Sequence, residues 1–282
     1  WEHPRNPDHY LTEGELIRLA PADARALPII ISTITISLII AWLIHKIMHV
    51  PANISTLIGI GSSICGGSAI AAAAPVIDAD DDEIAQAIAV IFFFNVLAAI
   101  FFPILGKAIG FDTVHGDAFG IFAGTAINDT SSVTAAASTW DSMWNLGSET
   151  LNKAVTVKLT RTLAIIPITL GLSFIRAQKK AKEGMKGSSF SLKRTFPMFI
   201  LYFVIASIIT TVCVHNGIDA QVFHPIKELS KFMIIMAMAA IGLNSNVIQL
   251  IKTGGKPIII GASCWCGITT VSLIVQHIMN IW

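Results

Sequence analysis

The amino-acid sequence predicts an all-α integral membrane protein with about eight transmembrane helices, two of them discontinuous. Three observations predict it. First, 54% of the 282 residues are hydrophobic and only 13% are charged, with a mean hydropathy of +0.69. A soluble domain usually carries about 25% charge, so this chain is too poor in charge to cover a water-facing surface. Second, apolar runs recur at the roughly 20-residue length that spans a bilayer, too long and continuous for barrel strands. Third, two of the runs are rich in Gly, Ala and Ser and carry polar residues at membrane depth. A net charge of +1 and a pI of about 7.9 leave no nucleic-acid footprint.

Residues 1–27 are polar, hold three prolines and read as an extramembrane arm before a single transmembrane domain, 28–282. Trp1 rather than Met opens the chain, with no signal peptide behind it, so a natural start upstream, with further helices, is expected. The predicted spans are 28–48, 59–77, 84–106, 117–139, 151–175, 196–214, 231–250 and 257–282. The loop with Arg176, Lys179, Lys180, Lys182, Lys186, Lys193 and Arg194 is the most basic and is placed in the cytoplasm. Alternation then puts Lys46, Lys107, Lys252 and Lys256 inside too, against Lys153, Lys227 and Lys231 outside with the acidic turn 78–83.

The second and fourth spans decide the reading. GSSICGGSAIAAAAP, from Gly61 to Pro75, and GTAINDTSSVTAAA, from Gly124 to Ala137, align without gaps at an offset of 63. Gly61/Gly124, Ile64/Ile127, Ser68/Ser131, Ala72/Ala135, Ala73/Ala136 and Ala74/Ala137 are identical pairs. The following helix echoes as well, Val96-Leu97-Ala98 before Pro103 against Thr162-Leu163-Ala164 before Pro167. This is an internal repeat of a two-helix unit. Gly66 and Gly67 are poor helix formers, and Asn128, Asp129, Thr130, Ser131 and Ser132 compete with the backbone for hydrogen bonds. Each motif therefore predicts a break followed by an alanine-rich half-helix, with Ser68 or Ser131 as its cap. A half-helix N-terminus suits an anion, and paired breaks mark a transporter's midplane site. Close packing of small residues explains the alanines equally well, but not Asn128-Asp129-Thr130.

Asp129, Lys158 and Arg161 lie inside predicted spans, where an ionised group is costly and a functional role is the default. Lys158 and Arg161, three apart, share a helix face. With Asp129 they form a predicted cluster of net charge +1 that favours an oxyanion, which Arg holds by its forked donors. A structural ion pair on Asp129 is the competing reading. Asn95 aligns with Arg161 under the repeat and is the polar counterpart there, as ion site or as interhelical glue.

The remaining signals are weaker. Cys65, Cys213, Cys264 and Cys266 form no CxxC pair and read as small buried hydrophobes, and no metal site is expected. His45 and His49 flank Lys46 at a span end, and His115, His215 and His224 fall in loops. His277 reads as a structural histidine more readily than as a proton carrier. Asn244-Ser245-Asn246 lines a cavity mouth or caps a helix, and the Met233, Met236 and Met238 group packs. No nucleotide-binding loop is present.

With these residues in place, the pair GSSICGGSAIAAAAPVI and GTAINDTSSVTAAA, followed by VKLTRTLAIIP, resembles the bacterial YeiH-type family of sulfate-exporter-like membrane proteins, from about residue 52 to the C-terminus. That family is grouped with the cation:proton antiporter and anion transporter superfamily. The resemblance implies an NhaA-like, bile-acid-symporter-like architecture of two inverted repeats, with discontinuous helices crossing near the midplane. It marks Gly61, Ser62, Ser63, Ile64, Cys65, Gly66, Ser68 and Ala69. In the second motif it marks Gly124, Thr125, Ala126, Asp129, Thr130, Ser131, Ser132, Lys158, Thr160 and Arg161. Asn128 stands where many relatives are expected to carry His, and the arm departs from relatives that begin with further hydrophobic segments. One full helix separates the motifs, so the charge count makes both cross in the same direction. Inverted copies require one or both to turn back as re-entrant hairpins, and the residues leave both arrangements open.

The expected function is secondary active transport of a small anion, sulfate or a sulfonate-like oxyanion, by alternating access across a bacterial inner membrane. Ser63, Cys65, Gly66, Gly67, Ser68, Asn128, Thr130, Ser131, Ser132, Lys158 and Arg161 are the expected substrate-binding residues. Asp129 and Asn95 serve a coupling ion, Na⁺ or H⁺, or an ion pair. No enzymatic reaction and no cofactor are expected, and a homodimer, common among relatives, stays open. The alternatives are a Na⁺/H⁺-type cation/proton antiporter using Asp129 with Lys158, and a membrane sensor or scaffold without transport.

Overall fold

The structure, a computed structural model, describes residues 13–182 and 255–282, with isolated positions between them. Apart from those positions, the predicted spans 196–214 and 231–250, with His215, His224 and Asn244-Ser245-Asn246, lie outside the described residues. The described residues are all-helical. In chain order the helices are α1 (Glu13–Met48), α2 (Ala52–Ser63), α3 (Gly67–Ala73), α4 (Asp81–Ile109), α5 (Asp117–Ala126), α6 (Thr130–Trp144), α7 (Glu149–Thr162), α8 (Ile165–Lys182) and α9 (Gly255–Ile278). Among the described residues, four stretches are long and apolar enough to cross a membrane: Arg25–Met48, Asp81–Ile109, Glu149–Arg176 across α7 and α8, and Gly255–Ile278.

Local chemistry sets the helix ends. Asp80 accepts from the Glu83 amide at 2.8 Å while the Glu83 carboxylate accepts from the Asp80 amide, a capping box that starts α4. Gly110 ends α4 in the left-handed region at φ 92°. Asp141, near the end of α6, accepts from the amides of Thr150 and Leu151 at 3.0 Å each and so caps α7 across the turn.

The polar contacts at the helix ends fix the topology. At the face where α1 ends, the Asn53 side chain donates to Glu83 at 2.8 Å and accepts from Arg176 at 2.7 Å, and Lys256 donates to the Met48 carbonyl. The start of α2, the start of α4, the end of α8 and the start of α9 therefore lie together. At the opposite face Lys153 pairs with Asp117 at 3.7 Å, Lys107 lies over the Trp144 ring, and Phe111 packs on Trp282. The end of α4, both ends of the α5–α6 segment, the start of α7 and the end of α9 lie there.

Two of the predicted crossings are thus hairpins. The α2–α3 segment enters from the α1-end face and returns to it, and α5–α6 enters from the other face and returns. With 12 and 10 residues, α2 and α5 reach about 18 and 15 Å, half of a hydrocarbon core of about 30 Å. This corrects the side assignment of two groups. The acidic turn at Asp80–Glu83 shares a face with Lys46 and Arg176, and Lys107 lies on the other with Lys153. Hydropathy and charge alternation presume that each apolar run crosses, and a hairpin violates that premise without changing composition.

The cores follow the same plan. One cluster packs α2 and α3 on α4 and α9 through Leu57, Ile58, Ile60, Ile70, Ile91 and Cys264. A second packs α5 and α6 through Phe119, Phe122, Trp140 and Ile268, with Phe119 stacked on Trp140 at 4.3 Å between ring centres. Helix α5 presses closely on α7. A Cβ on Gly124 would stand 2.7 Å from the Ala154 carbonyl, and one on Gly120 would stand 2.8 Å from Lys153 Cβ. Of the cysteines, Cys65 and Cys264 are buried as expected, but Cys266 is exposed on α9.

Candidate functional site

Both helix breaks fall where the sequence places them. In the first hairpin, α2 ends at Ser63 and α3 begins at Gly67. Gly66 makes the turn at φ 70° and ψ −127°, a conformation side-chain-bearing residues rarely adopt. In the second hairpin, α5 ends at Ala126, Ile127 is extended, and α6 begins at Thr130. The backbone carbonyls at the ends of α2 and α5 lose their helical partners there and concentrate partial negative charge.

Lys158 and Arg161 answer that charge. Both are fully buried on α7. Lys158 Nζ donates to the carbonyls of Ile64 at 2.6 Å and Ile127 at 3.1 Å, one in each hairpin tip. Arg161 Nε donates to the Ser63 carbonyl at 2.7 Å, one terminal nitrogen to the Ser62 carbonyl at 2.7 Å, and the other to the Thr125 carbonyl at 2.5 Å. Weaker contacts reach the Ile127 carbonyl and Asn128 Oδ1 at 3.5 Å. Two cations thus hold the tips of both hairpins together. The sequence singled out the two residues but not their partners, since a backbone carbonyl leaves no mark on residue type.

Asp129 departs from its expected role. Among the described residues it forms no ion pair with Lys158 or Arg161. Instead its Oδ2 accepts from the amides of Ser131 at 3.0 Å and Ser132 at 3.3 Å and from the Ser131 hydroxyl, making Asp129 the N-cap of α6. The carboxylate is drawn to the positive end of its own helix. The predicted Ser131 cap is therefore replaced by Asp129. The predicted Ser68 cap is also absent: α3 has no side-chain cap, and Ser68 instead meets Cys65 Sγ at 2.8 Å and the Cys65 carbonyl at 3.2 Å.

The other expected residues gather at the same level. Asn95, the middle residue of α4, accepts the Asn128 amide on its Oδ1 at 3.1 Å. Ser63 is buried, with its hydroxyl on the Ile60 carbonyl. Gly67 and Ser132 are half-buried, while Ser68, Thr130 and Ser131 are exposed and form a hydroxyl-bearing rim. His277 lies away from this site, exposed near the end of α9 and against the Trp282 ring. Residue-type reasoning missed Ser272 and Gln276 on α9. Ser272 meets the Thr125 hydroxyl at 2.7 Å and accepts from Gln276 at 3.1 Å, extending a buried polar line from the Arg161 seat. Their spacing of four, which puts both on one face of a largely apolar helix, was the available signal.

Residues 17–261 match the model of the family described as Conserved hypothetical protein 698. The chain is 58% identical over 258 residues to a UPF0324 membrane protein of Streptococcus mutans, covering 91% of this chain and 74% of that one. A UPF0324 membrane protein of Streptococcus pyogenes serotype M18 is 55% identical over 267 residues, covering 95% and 77%. One from Fusobacterium nucleatum is 54% identical over 268 residues, covering 91% and 75%. No solved structure matches the chain.

Proposed function

The chain belongs to the UPF0324 membrane protein family, and from that premise we propose that it is a multi-pass secondary transporter of the bacterial inner membrane that moves a small oxyanion by alternating access. The observation that carries this reading is the meeting of two hairpins from opposite faces around Lys158 and Arg161. Interrupted backbone at membrane depth is tolerated where it lines a cavity, and paired interruptions are the transporter pattern. Two opposed hairpins also have the inverted relation that the resemblance to YeiH-type proteins implies.

Charge favours an anion. Lys158 and Arg161 against Asp129 leave the described centre one positive charge in excess, in a region where charge acts over a long range. Because Arg161 and two of the three Lys158 donors are directed at the hairpin tips, the cations act mainly by supplying potential, and direct contacts fall to the rim of Ser68, Thr130 and Ser131. A sulfate or sulfonate is the class of substrate that suits hydroxyl donors and a net positive field. The cation/proton antiporter reading is supported less, because Asp129 caps α6 and does not compete with a cation for Lys158.

Reconstitution into liposomes tests the reading. Labelled sulfate, sulfite and methanesulfonate should enter protein-containing vesicles faster when the same anion is loaded inside, and vesicles without protein should show no such exchange. Entry no faster than in protein-free vesicles for all three would reject the anion reading and leave the cation/proton antiporter and the non-transporting scaffold as the alternatives.

A further inference from the structure

The outward face of α1 changes character at its end. Ile39, Trp42, Leu43, Lys46 and Ile47 recur at i, i+3, i+4, i+7 and i+8, so they share one face of the helix, and all five are exposed. An apolar face of that kind on a membrane-spanning helix meets acyl chains. Lys46 stands in the last turn, with its Nζ over the Trp42 ring at 5.2 Å from the centre. Ile39 lies two turns earlier, about 10 Å deeper along the axis. The face thus presents a cation beside an aromatic ring and then an apolar strip, which matches a phospholipid read from phosphate to acyl chain.

Helix α9 brings a second cation to the same end. Lys256, in its first turn, donates to the Met48 carbonyl at 3.2 Å, and the exposed Ile259 follows about one turn deeper. The helices are in close contact further in, where a Cβ on Gly267 would meet Ile40 Cδ1. Among the described residues neither Lys46 nor Lys256 pairs with a carboxylate. Other cations do find one: Arg176 reaches Glu83 through Asn53, and Lys153 meets Asp117. The joined ends of α1 and α9 therefore carry two positive charges without a protein counter-charge, at the border of an exposed apolar surface.

We propose that the joined ends of α1 and α9 bind an anionic phospholipid, with Lys46 and Lys256 on its phosphate and its acyl chains along Ile39, Leu43, Ile47 and Ile259. The occupant is a lipid and not a free anion, because the cations stand at the end of an apolar strip. The inference goes beyond transport and holds whatever the cargo. Binding there bears on the whole fold, since α1 accepts the Ser55 hydroxyl of the first hairpin on its Ala41 carbonyl at 2.7 Å and donates from Ser37 to the Gly59 carbonyl at 3.1 Å. A ligand of the folded state raises its melting temperature.

Melting of the purified full chain in neutral-detergent micelles tests this, with dioleoylphosphatidylglycerol as the probe against dioleoylphosphatidylcholine at equal mole fraction and ionic strength. Phosphatidylglycerol should stabilise the wild type more than phosphatidylcholine does. Lys46→Gln and Lys256→Gln should each need about 5-fold more of it for the same shift. Lys107→Gln removes an exposed lysine that also lies over a tryptophan ring, but at the opposite face, and should respond as the wild type does. Glycerol phosphate, which has the phosphate without the chains, should give no shift. If a lysine variant does not yield monodisperse protein, the wild type in rising sodium chloride carries the comparison, and its response to phosphatidylglycerol should weaken. Equal stabilisation by the two lipids overturns the proposal. So does a loss in Lys107→Gln as large as in Lys46→Gln, an equal shift with glycerol phosphate, or a response that salt leaves unchanged.

Discussion

Arg161 shows what one buried cation does in this chain. Its nitrogens satisfy the Ser62, Ser63 and Thr125 carbonyls, which belong to two different hairpins. Each stranded buried carbonyl costs about 1–3 kcal/mol, so Arg161→Ala should destabilise the fold by at least about 3 kcal/mol. Arg161→Lys keeps the charge but loses the planar fork, and its melting temperature should fall between wild type and Arg161→Ala. Equal melting of all three proteins would refute the clamp. Lys158 makes a different prediction. Backbone carbonyls at helix breaks are the ligands that bind coupling cations, and here the Lys158 ammonium fills that seat. Wild-type melting should therefore be the same in sodium and in choline chloride. Lys158→Ala should be less stable in choline and partly restored by sodium, which can enter the vacated seat. A sodium-dependent wild type would speak for the cation reading.

At the scale of the element, the breaks were legible and their direction was not. Gly66-Gly67 and Asn128-Asp129-Thr130 mark the interruptions in residue type, and the structure breaks at those points. Whether a chain turns back after a break depends on contacts such as Asn53 with Glu83, thirty residues apart, which no periodicity encodes. The capping role of Asp129 was hidden for a related reason. A carboxylate at membrane depth invites a search for a distant cation, while the nearest positive end is its own helix. Packing between elements gives predictions of opposite sign. Gly124→Val places carbon against the Ala154 carbonyl and Val157, so it should cost about 1–3 kcal/mol by forcing α5 off α7. Gly171 on α8 has open space around its Cβ position and an ordinary φ, so Gly171→Ala should raise stability by up to about 1 kcal/mol. Thermal melting of the two variants beside wild type reads both, and a stable Gly124→Val would mean that the α5–α7 contact is loose.

For the whole molecule, the opposed hairpins decide which loops share a side of the membrane. In an alternation of crossings, Asn53 and Asp80 lie on opposite sides, since one full span separates them. In the hairpin topology they lie on the same side, with Arg176, because the Asn53 side chain bonds to both Glu83 and Arg176. By the same reasoning His115 and Gly147 share the other side, since Lys153 pairs with Asp117 and Lys107 covers Trp144. The two hairpins reverse the assignment twice, so the α7–α8 crossing keeps the direction that alternation gives it. Only the loops between the hairpins discriminate. Single cysteines at Asn53, Asp80, His115 and Gly147, in a background with Cys65, Cys213, Cys264 and Cys266 replaced, read this in intact cells with a membrane-impermeant maleimide. Positions 53 and 80 should label alike, 115 and 147 should label alike, and the two pairs should differ. With Lys46, Arg176 and Lys256 beside the first pair, the positive-inside tendency places positions 53 and 80 in the cytoplasm, so they should label only after permeabilisation. Labelling of 53 and 80 from opposite sides would restore the through-crossing helices and dissolve the meeting of the tips, because the Lys158 contacts to Ile64 and Ile127 would then have to join two helices running the same way.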